Sequence, residues 1–187
     1  MRTIYASLIP GMWLAWMLYW FAAALAAKPV RRRESLASRL SHIVPLLLGI
    51  ALLARPPQPG TPRFLPASPT AFWIGAALVA AGLAFSVAAR ITLGGNWSGT
   101  VTLKQDHTLT RDGPYRFVRH PIYTGILLAV LGSAITLGEW RGLLALALTL
   151  AAFLRKIGIE ERFLCDQFGD AYTRYRQEVA ALVPFVL

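Results

Sequence analysis

The chain has 187 residues, a length typical of one domain, and its formal net charge is +10. Hydrophobic residues make up 56% of it, charged residues make up 15%, and the mean hydropathy is +0.50. Soluble globular domains carry roughly 25% charged residues, so this composition excludes an ordinary soluble domain and predicts an integral membrane protein. Because the basic residues flank apolar segments, the positive charge indicates contact with a membrane surface, and we expect no nucleic-acid partner.

Five apolar segments are predicted to span the membrane as helices, since a bilayer crossing needs about 20 apolar residues. The first is residues 4–27. A cleavable signal peptide is the less favoured alternative there, because such peptides have apolar runs of only about 7–15 residues. The next spans are predicted at residues 36–54 and 71–89. Residues 122–137 and 143–157 are joined by a very short polar connection, which is typical of a helical hairpin.

The distribution of basic residues predicts the orientation of these spans. Segments 28–41, 90–121 and 155–187 hold 15 of the 19 Lys and Arg residues. Cytoplasmic loops carry the excess of such residues, so these segments are predicted to be cytoplasmic and the N-terminus to lie outside. The Pro-rich residues 55–69 would then form an external loop without regular structure. We therefore expect the polar regions 94–121 and 155–187 to meet on the cytoplasmic side.

A polar segment between two apolar spans, residues 107–125, provides the first half of a candidate site. It contains the sequence Arg119-His-Pro-Ile-Tyr-Thr-Gly125. Pro121 suits the first turn of a helix, because its missing N–H costs nothing there. The free N–H groups of such a helix start could bind a carboxylate or another electron-rich group beside His120 and Tyr123.

Other residues of this segment have both functional and structural interpretations. Gly125 would permit close approach of a neighbouring helix or of a ligand. Asp112-Gly-Pro114 predicts a turn that could bring His107 and Tyr115 near His120. The alternative is that the arginine and tyrosine of the motif are ordinary membrane-interface anchors and that His107 is a solvated loop residue.

Charged residues at the end of the last apolar span provide the second half of the candidate site. Lys156 and Glu160 are four residues apart and therefore share a helix face. An exposed pair of this kind contributes little to stability, but ionisable groups beside a membrane span are costly and usually functional. Glu160 could accept hydrogen bonds from a ribose or an ammonium group. Lys156 or Arg155 could bind an anionic group of a substrate.

The C-terminal segment is predicted to form an amphipathic helix at the membrane surface. Gly169 is expected to end the preceding helix, and Asp170 is expected to be the N-cap of the next one. The apolar and aromatic residues that follow repeat at helical spacing, and packing against the rest of the domain is the favoured role of its tyrosines. These residues are Tyr172, Tyr175, Val179 and Leu182.

Taken in order, these motifs resemble those of the isoprenylcysteine carboxyl methyltransferase family. The resemblance covers residues 96–185 and includes His-Thr-Leu, Gly-x-Tyr, Arg-His-Pro-x-Tyr-x-Gly, Glu-Glu, Phe-Gly-x-x-Tyr-x-x-Tyr and a final Val-Pro. The first three spans match the family only in general character. The resemblance implies an all-α, polytopic membrane methyltransferase with a single domain over residues 1–187. Three spans would occupy residues 1–93, and a cofactor-binding, catalytic half would occupy residues 94–187.

The resemblance also implies that the cofactor S-adenosylmethionine is held between the two polar segments. A family arginine assigned to the substrate falls on Lys156 here, which keeps the charge but loses the fork of a guanidinium, unless adjacent Arg155 serves. We expect no metal, since the three histidines and Cys165 have no recognised ligand spacing. By position, the residues that would bind the cofactor are His107, Thr108, Leu109, Thr110, Tyr115, His120, Pro121, Ile122, Tyr123 and Glu160.

The reaction that the resemblance implies is carboxyl O-methylation of an isoprenylated cysteine or an analogue. A carboxylate nucleophile needs no general base, so positioning and exclusion of water would supply the catalysis. The lipophilic acceptor could enter sideways from the bilayer, and the cofactor could enter from the cytoplasm.

Three alternatives remain open at this point. The same pocket could serve S-methylation of a small thiol, or N-methylation of a phospholipid head group with Glu161 or a tyrosine as the base. An alternative of another class is a non-enzymatic membrane protein that binds haem or another cofactor. His42 would then be a candidate haem ligand, although no second histidine is expected at the same depth on another span.

Overall fold

The structure is a computed structural model that describes residues 2–25, 30–56, 58, 60–97, 102–104 and 108–184. Most of these residues are helical, so the predicted all-α architecture is confirmed. A short antiparallel pair of strands, β1 (Val30–Arg33) and β2 (Thr102–Lys104), lies beside the helices. The helices are α1 (Arg2–Ala24), α2 (Leu36–Ala54), α3 (Pro69–Leu93), α4 (Pro121–Leu137), α5 (Trp140–Phe168) and α6 (Asp170–Glu178).

Four of these helices, α1, α2, α3 and α5, are long and apolar enough to cross a membrane by length and composition. Helix α4 is also apolar but has 17 residues. That number corresponds to roughly 26 Å, slightly less than the ~30 Å of a bilayer core. The predicted integral, multi-pass membrane protein is therefore confirmed, while the count of five crossings stays a prediction.

Glycine residues with positive φ end three of the helices, and Gly94 ends α3 in this way. Gly138 ends α4 with φ 64°, and Gly169 ends α5 with φ 53°, a region of backbone conformation that favours glycine. The predicted stop at Gly169 is confirmed. The predicted N-cap at Asp170 is wrong by one position, because Gly169 itself is the N-cap and Asp170 is already the first residue of α6. The junction is so tight that one glycine ends one helix and begins the next.

Helices α3 and α4 pack backbone against backbone at two facing pairs of glycines. A Cβ atom built on Gly82 would lie 2.4 Å from the carbonyl oxygen of Gly125, and one on Gly75 would lie 2.5 Å from that of Gly132. In each helix the two glycines are seven residues apart, about two turns, so they share one face. The close approach predicted at Gly125 is thus confirmed, and the partner is a neighbouring helix.

The remaining long helices are arranged around this central pair. Helix α5 packs on α4, α2 packs on α5, and α1 packs on α3. In the described part of the chain, no packing of comparable extent joins α1 to α2. The two helices therefore border a gap whose floor is formed by α4 and α5.

The short connection between α4 and α5 is held by a buried carboxylate. The side chain of Glu139 is 2% exposed, and Arg141 Nε donates to its Oε2 atom at 2.6 Å. The Arg63 Nη1 atom lies 3.9 Å from Glu139 Oε1, and the Phe64 N–H donates to the Gly138 carbonyl oxygen at 2.9 Å. The predicted helical hairpin is confirmed, and the Pro-rich segment before α3 is fastened to its tip.

Candidate active site

A cavity of about 1010 Å³ extends between the helices. One end is polar and receives residues from both predicted polar segments, while the rest is mostly apolar. The polar residues at that end are Asn96, Thr108, Thr110, Tyr115, Arg119, His120, Tyr123, Lys156, Glu160, Tyr172 and Tyr175, and the remaining lining is mostly apolar, with Arg55, Ser133, Thr136 and Thr149 as its polar members. The apolar lining of the cavity includes Trp13, Trp16 and Trp20 of α1, Leu46, Ile50 and Leu53 of α2, and Ile126 and Val130 of α4.

The start of α4 is fixed against the C-terminal segment by backbone hydrogen bonds. The N–H of Arg119 donates to the carbonyl oxygen of Ala180 at 2.8 Å, and the N–H of His120 donates to that of Ala181 at 3.0 Å. His120 is the N-cap residue of α4 and is 7% exposed. These bonds hold the Arg-His-Pro motif in place at the polar end of the cavity.

Three side chains surround the carboxylate of Glu160, and one of them is His120, whose Nδ1 atom lies 3.6 Å from Glu160 Oε2. Tyr123 Oη donates to Glu160 Oε1 at 2.6 Å, and Lys156 Nζ lies 3.9 Å from the same oxygen, as the predicted common helix face requires. The Tyr123 ring stacks between Phe153 and His120, with centroid distances of 4.5 Å and 5.6 Å. The carboxylate of Glu160 therefore has a defined orientation towards the cavity.

Glu161 has a different environment, in which several donors surround one carboxylate. Arg119 donates from Nε at 2.9 Å and approaches with Nη2 at 2.8 Å, both to Oε1. Arg176 Nε lies 3.1 Å from Oε2, and His120 Nε2 lies 3.3 Å from Oε1. Glu161 thus joins the start of α4 to α5 and α6. With its oxygens occupied, it is poorly suited to take a proton from a substrate.

The turn predicted at Asp112–Pro114 is confirmed, and it places Tyr115 in the cavity wall. Residues Gly113–Arg116 form a 3-10 helix that starts at a glycine with φ 57°. Tyr175 Oη donates to the Tyr115 carbonyl oxygen at 2.5 Å and so fastens α6 over this turn. Burial raises the pKa of Tyr175 to about 12, so its hydroxyl keeps the proton that it donates.

The predicted cofactor segment also contacts the residues after α3. Asn96 Nδ2 donates to Thr108 Oγ1 at 3.1 Å. Pro121 is buried as the first residue of α4 and is not among the described residues that line the cavity. His107 lies outside the described residues. The predicted residues that do line the cavity are Thr108, Leu109, Thr110, Tyr115, His120, Ile122, Tyr123 and Glu160.

The two basic candidates for substrate binding lie in different places. Lys156 lines the cavity and is 14% exposed. Arg155 is exposed and is not among the described residues of the cavity wall, and its role in substrate binding stays a prediction. Sequence reasoning assigned no site role to Asn96, Phe153 or Tyr172. Of these, only Tyr172 belonged to a recognised pattern, the helical spacing of the C-terminal segment, and that pattern favoured a packing role.

Comparison with known proteins gives consistent matches. The family model "Phospholipid methyltransferase" matches residues 70–171, more than half of the chain. The protein-S-isoprenylcysteine O-methyltransferase of Schizosaccharomyces pombe is 37% identical over 101 residues, which cover 52% of this chain and 43% of that protein. Protein-S-isoprenylcysteine O-methyltransferase B of Arabidopsis thaliana is 30% identical over 129 residues, or 66% of each chain.

A solved structure has the same fold. It is the eukaryotic intramembrane Ras methyltransferase, isoprenylcysteine carboxyl methyltransferase, with a TM-score of 0.56 and 28% sequence identity. The match covers 80% of this chain and 50% of that one, and the matches to the two relatives named above cover 43% and 66% of their lengths. The chain belongs to the phospholipid methyltransferase family, and its predicted kinship with the isoprenylcysteine carboxyl methyltransferases is confirmed.

Proposed function

We propose that the protein transfers a methyl group from S-adenosylmethionine to the carboxylate of an isoprenylated cysteine or an analogue. The observation that carries this proposal is a single cavity with a polar end at Thr108, His120 and Glu160 and an apolar remainder between the helices. A nucleoside cofactor needs the polar end, and a lipid-bearing acceptor needs the apolar part. The names of the relatives support methyl transfer and an isoprenylcysteine acceptor.

The residues at the polar end fit S-adenosylmethionine. Thr108 and Thr110 offer hydroxyl groups, and Glu160 offers a carboxylate that can accept from a ribose or an ammonium group. The Tyr172 side chain lines this end, and its buried hydroxyl has no hydrogen-bond partner among the described residues, so it suits a polar atom of a nucleoside. When bound, S-adenosylmethionine supplies a methyl group on a sulfonium centre that a nucleophile can displace in line.

The protein's own contribution would be to position the reactants and to exclude water. Lys156 supplies a positive charge in the cavity wall that can hold the acceptor carboxylate. His120, Tyr123 and Phe153 form an aromatic stack beside it, and the Tyr123 hydroxyl of this stack orients Glu160. Because a carboxylate is already nucleophilic, no group of the protein has to remove a proton from it.

The gap between α1 and α2 supports a lateral route for the acceptor. Helix α1 packs on α3 and α2 packs on α5, and both line the apolar part of the cavity. A hydrocarbon chain can enter between them from the bilayer without crossing water. The polar end of the same cavity would admit the cofactor from the aqueous side.

We also propose that the N-terminus lies outside and that the site faces the cytoplasm. The α3 end, the α4 start and the α5 end border the polar end of the cavity, and Glu34, just before the α2 start, is an electrostatic neighbour of Tyr123 at that end. The chain segments that flank these helix ends are the ones that contain 15 of the 19 Lys and Arg residues. The positive-inside rule therefore favours a cytoplasmic site. Cysteine-accessibility labelling of single-cysteine variants would test this orientation.

Calorimetry with S-adenosylhomocysteine tests the cofactor site. We expect Glu160→Ala and His120→Ala to weaken binding about tenfold or more, because each removes a polar group of the cavity wall. Glu178→Ala is the matched control, since that carboxylate is exposed and pairs with Arg111 away from the cavity. Unchanged affinity for S-adenosylhomocysteine in both site variants would contradict the site assignment. Lack of binding by the wild type would contradict the proposed function.

A panel of acceptors tests the chemistry. Labelled S-adenosylmethionine would be offered with farnesylcysteine, phosphatidylethanolamine and a small thiol in separate reactions. We expect label on the farnesylcysteine carboxyl group, released as methanol by base. Label on the phospholipid alone, or on the thiol alone, would replace the carboxyl acceptor with one of the alternatives.

A further inference from the structure

Tyr172 of α6 is a buried polar side chain whose hydroxyl has no partner in the described protein. The residue is 1% exposed, and it lines the polar end of the cavity. Its Oη atom is shielded from solvent and makes no hydrogen bond to any described residue. Buried polar groups are rarely left in this state, because they have lost their hydration without gaining a partner.

Comparison with Tyr175 shows that the missing hydrogen-bond partner is a property of the Tyr172 position and not of α6 as a whole. It lies one turn further along α6, is 2% exposed and also lines the cavity. The two rings are 6.0 Å apart and nearly perpendicular, at 70°. Yet the Tyr175 hydroxyl donates to the Tyr115 carbonyl oxygen, whereas that of Tyr172 does not bond to the described protein. The Tyr175 hydroxyl therefore stabilises the fold, whereas the Tyr172 hydroxyl can donate to a ligand.

The surroundings of Tyr172 are charged, but their polar atoms are engaged elsewhere. Glu161, Arg119 and Glu160 are its electrostatic neighbours. The first two bind each other, and Glu160 accepts a hydrogen bond from Tyr123. Burial raises the pKa of Tyr172 well above the usual range, so the hydroxyl keeps its proton and can act as a donor.

We propose that Tyr172 binds the S-adenosyl nucleoside directly, by donating a hydrogen bond from its hydroxyl to an oxygen or nitrogen atom of the ligand. This inference rests on the proposed function, which places the nucleoside at the polar end of the cavity. It gives α6 a binding role in addition to packing, and it makes the cofactor site three-part, with residues from the 108–123 segment, from α5 and from α6.

The test compares Tyr172→Phe with Tyr175→Phe, two identical changes on one helix. S-adenosylhomocysteine affinity is measured by calorimetry, and thermal unfolding is measured on the ligand-free protein. We expect Tyr172→Phe to raise the Kd about threefold to tenfold, the effect of one lost hydrogen bond, without lowering the Tm. Tyr175→Phe should lower the Tm, because it leaves the buried Tyr115 carbonyl without its donor.

Two results would overturn the inference while the proposed function stands. One is wild-type affinity in Tyr172→Phe. The other is a fall in the ligand-free Tm of Tyr172→Phe as large as that of Tyr175→Phe, which would mean that the hydroxyl serves the fold. Failure of the wild type to bind S-adenosylhomocysteine would overturn the proposed function and the inference together.

Discussion

The indole N–H of Trp16 in α1 donates a hydrogen bond to the Ser86 hydroxyl of α3 at 2.7 Å. A second indole of the same helix, that of Trp13, donates to the Ser133 hydroxyl of α4 at 3.1 Å. Both tryptophans also line the apolar part of the cavity. Their N–H groups are thus paired with the central helices, so this wall of the cavity presents ring carbons instead of polar atoms to an acceptor.

A double-mutant cycle on Trp16→Phe and Ser86→Ala would measure this attachment of α1. We expect each single change to be destabilising and the pair to be less than additive by about 0.6 kcal/mol, the average for hydrogen bonds between membrane helices, and by no more than about 1.7 kcal/mol. Unfolding in detergent gives the free energies. Ser41→Ala, at an exposed serine of α2, is the control and should stay within about 0.5 kcal/mol of wild type. Strict additivity would show that the two side chains do not interact.

Gly82→Ala should destabilise the protein by roughly 1–3 kcal/mol or more, because its new methyl group would lie 2.4 Å from a backbone carbonyl of α4 and would push the helices apart. Gly11→Ala in α1 is the matched control, since a Cβ there would meet nothing within 4 Å. It should be neutral or slightly stabilising, as alanine favours helix. Thermal unfolding in detergent distinguishes them, and equal effects would contradict the close packing.

Glu161→Gln should cost about 3–5 kcal/mol of stability, because it leaves the buried Arg119 guanidinium without its counter-charge. Glu178→Gln, which breaks the exposed pair with Arg111, should cost less than about 1 kcal/mol. Chemical denaturation of both variants provides the comparison. A small effect of Glu161→Gln would mean that the Arg119–Glu161 ion pair contributes little to holding the start of α4 against α5.

Tyr123→Phe should weaken S-adenosylhomocysteine binding about threefold to tenfold, since it removes the hydrogen bond that orients Glu160 while keeping the ring stack with Phe153. Tyr123→Ala should weaken binding further because the stack is lost as well. Tyr19→Phe, in α1 and not among the described residues of the cavity wall, is the control. Wild-type affinity in Tyr123→Phe would contradict the role assigned to the hydrogen bond, and identical affinities for the Phe and Ala variants would contradict the role of the ring stack.

Much of the fold and of the site could be predicted from sequence because the signals are local. Apolar runs predicted all five long helices, and the hairpin followed from its short connection. The structure confirms the shared helix face of Lys156 and Glu160, the turn at Gly113 and the helix end at Gly169. Each of these depends on neighbouring residues along one segment, where periodicity and backbone preference decide the outcome.

The remainder depends on partners far apart in sequence. The roles of Arg119 and Glu161 became clear only because the α4 start and the α5 end meet, 42 residues apart along the chain. The contact between Asn96 and Thr108 has no periodic signature at all. The difference between Tyr172 and Tyr175 arises from a single carbonyl oxygen, that of Tyr115, which no pattern in α6 could indicate.

Helix α5 is unbroken from Trp140 to Phe168, with the buried Glu139 at its start and the site carboxylates near its end. Every residue inserted or deleted between those points would turn Glu160 and Glu161 by about 100° around the helix axis and shift them by about 1.5 Å. One such change would take both carboxylates away from His120 and Arg119 at once. This stretch of α5 should therefore tolerate substitutions along its lipid-facing side far better than the insertion or deletion of a residue.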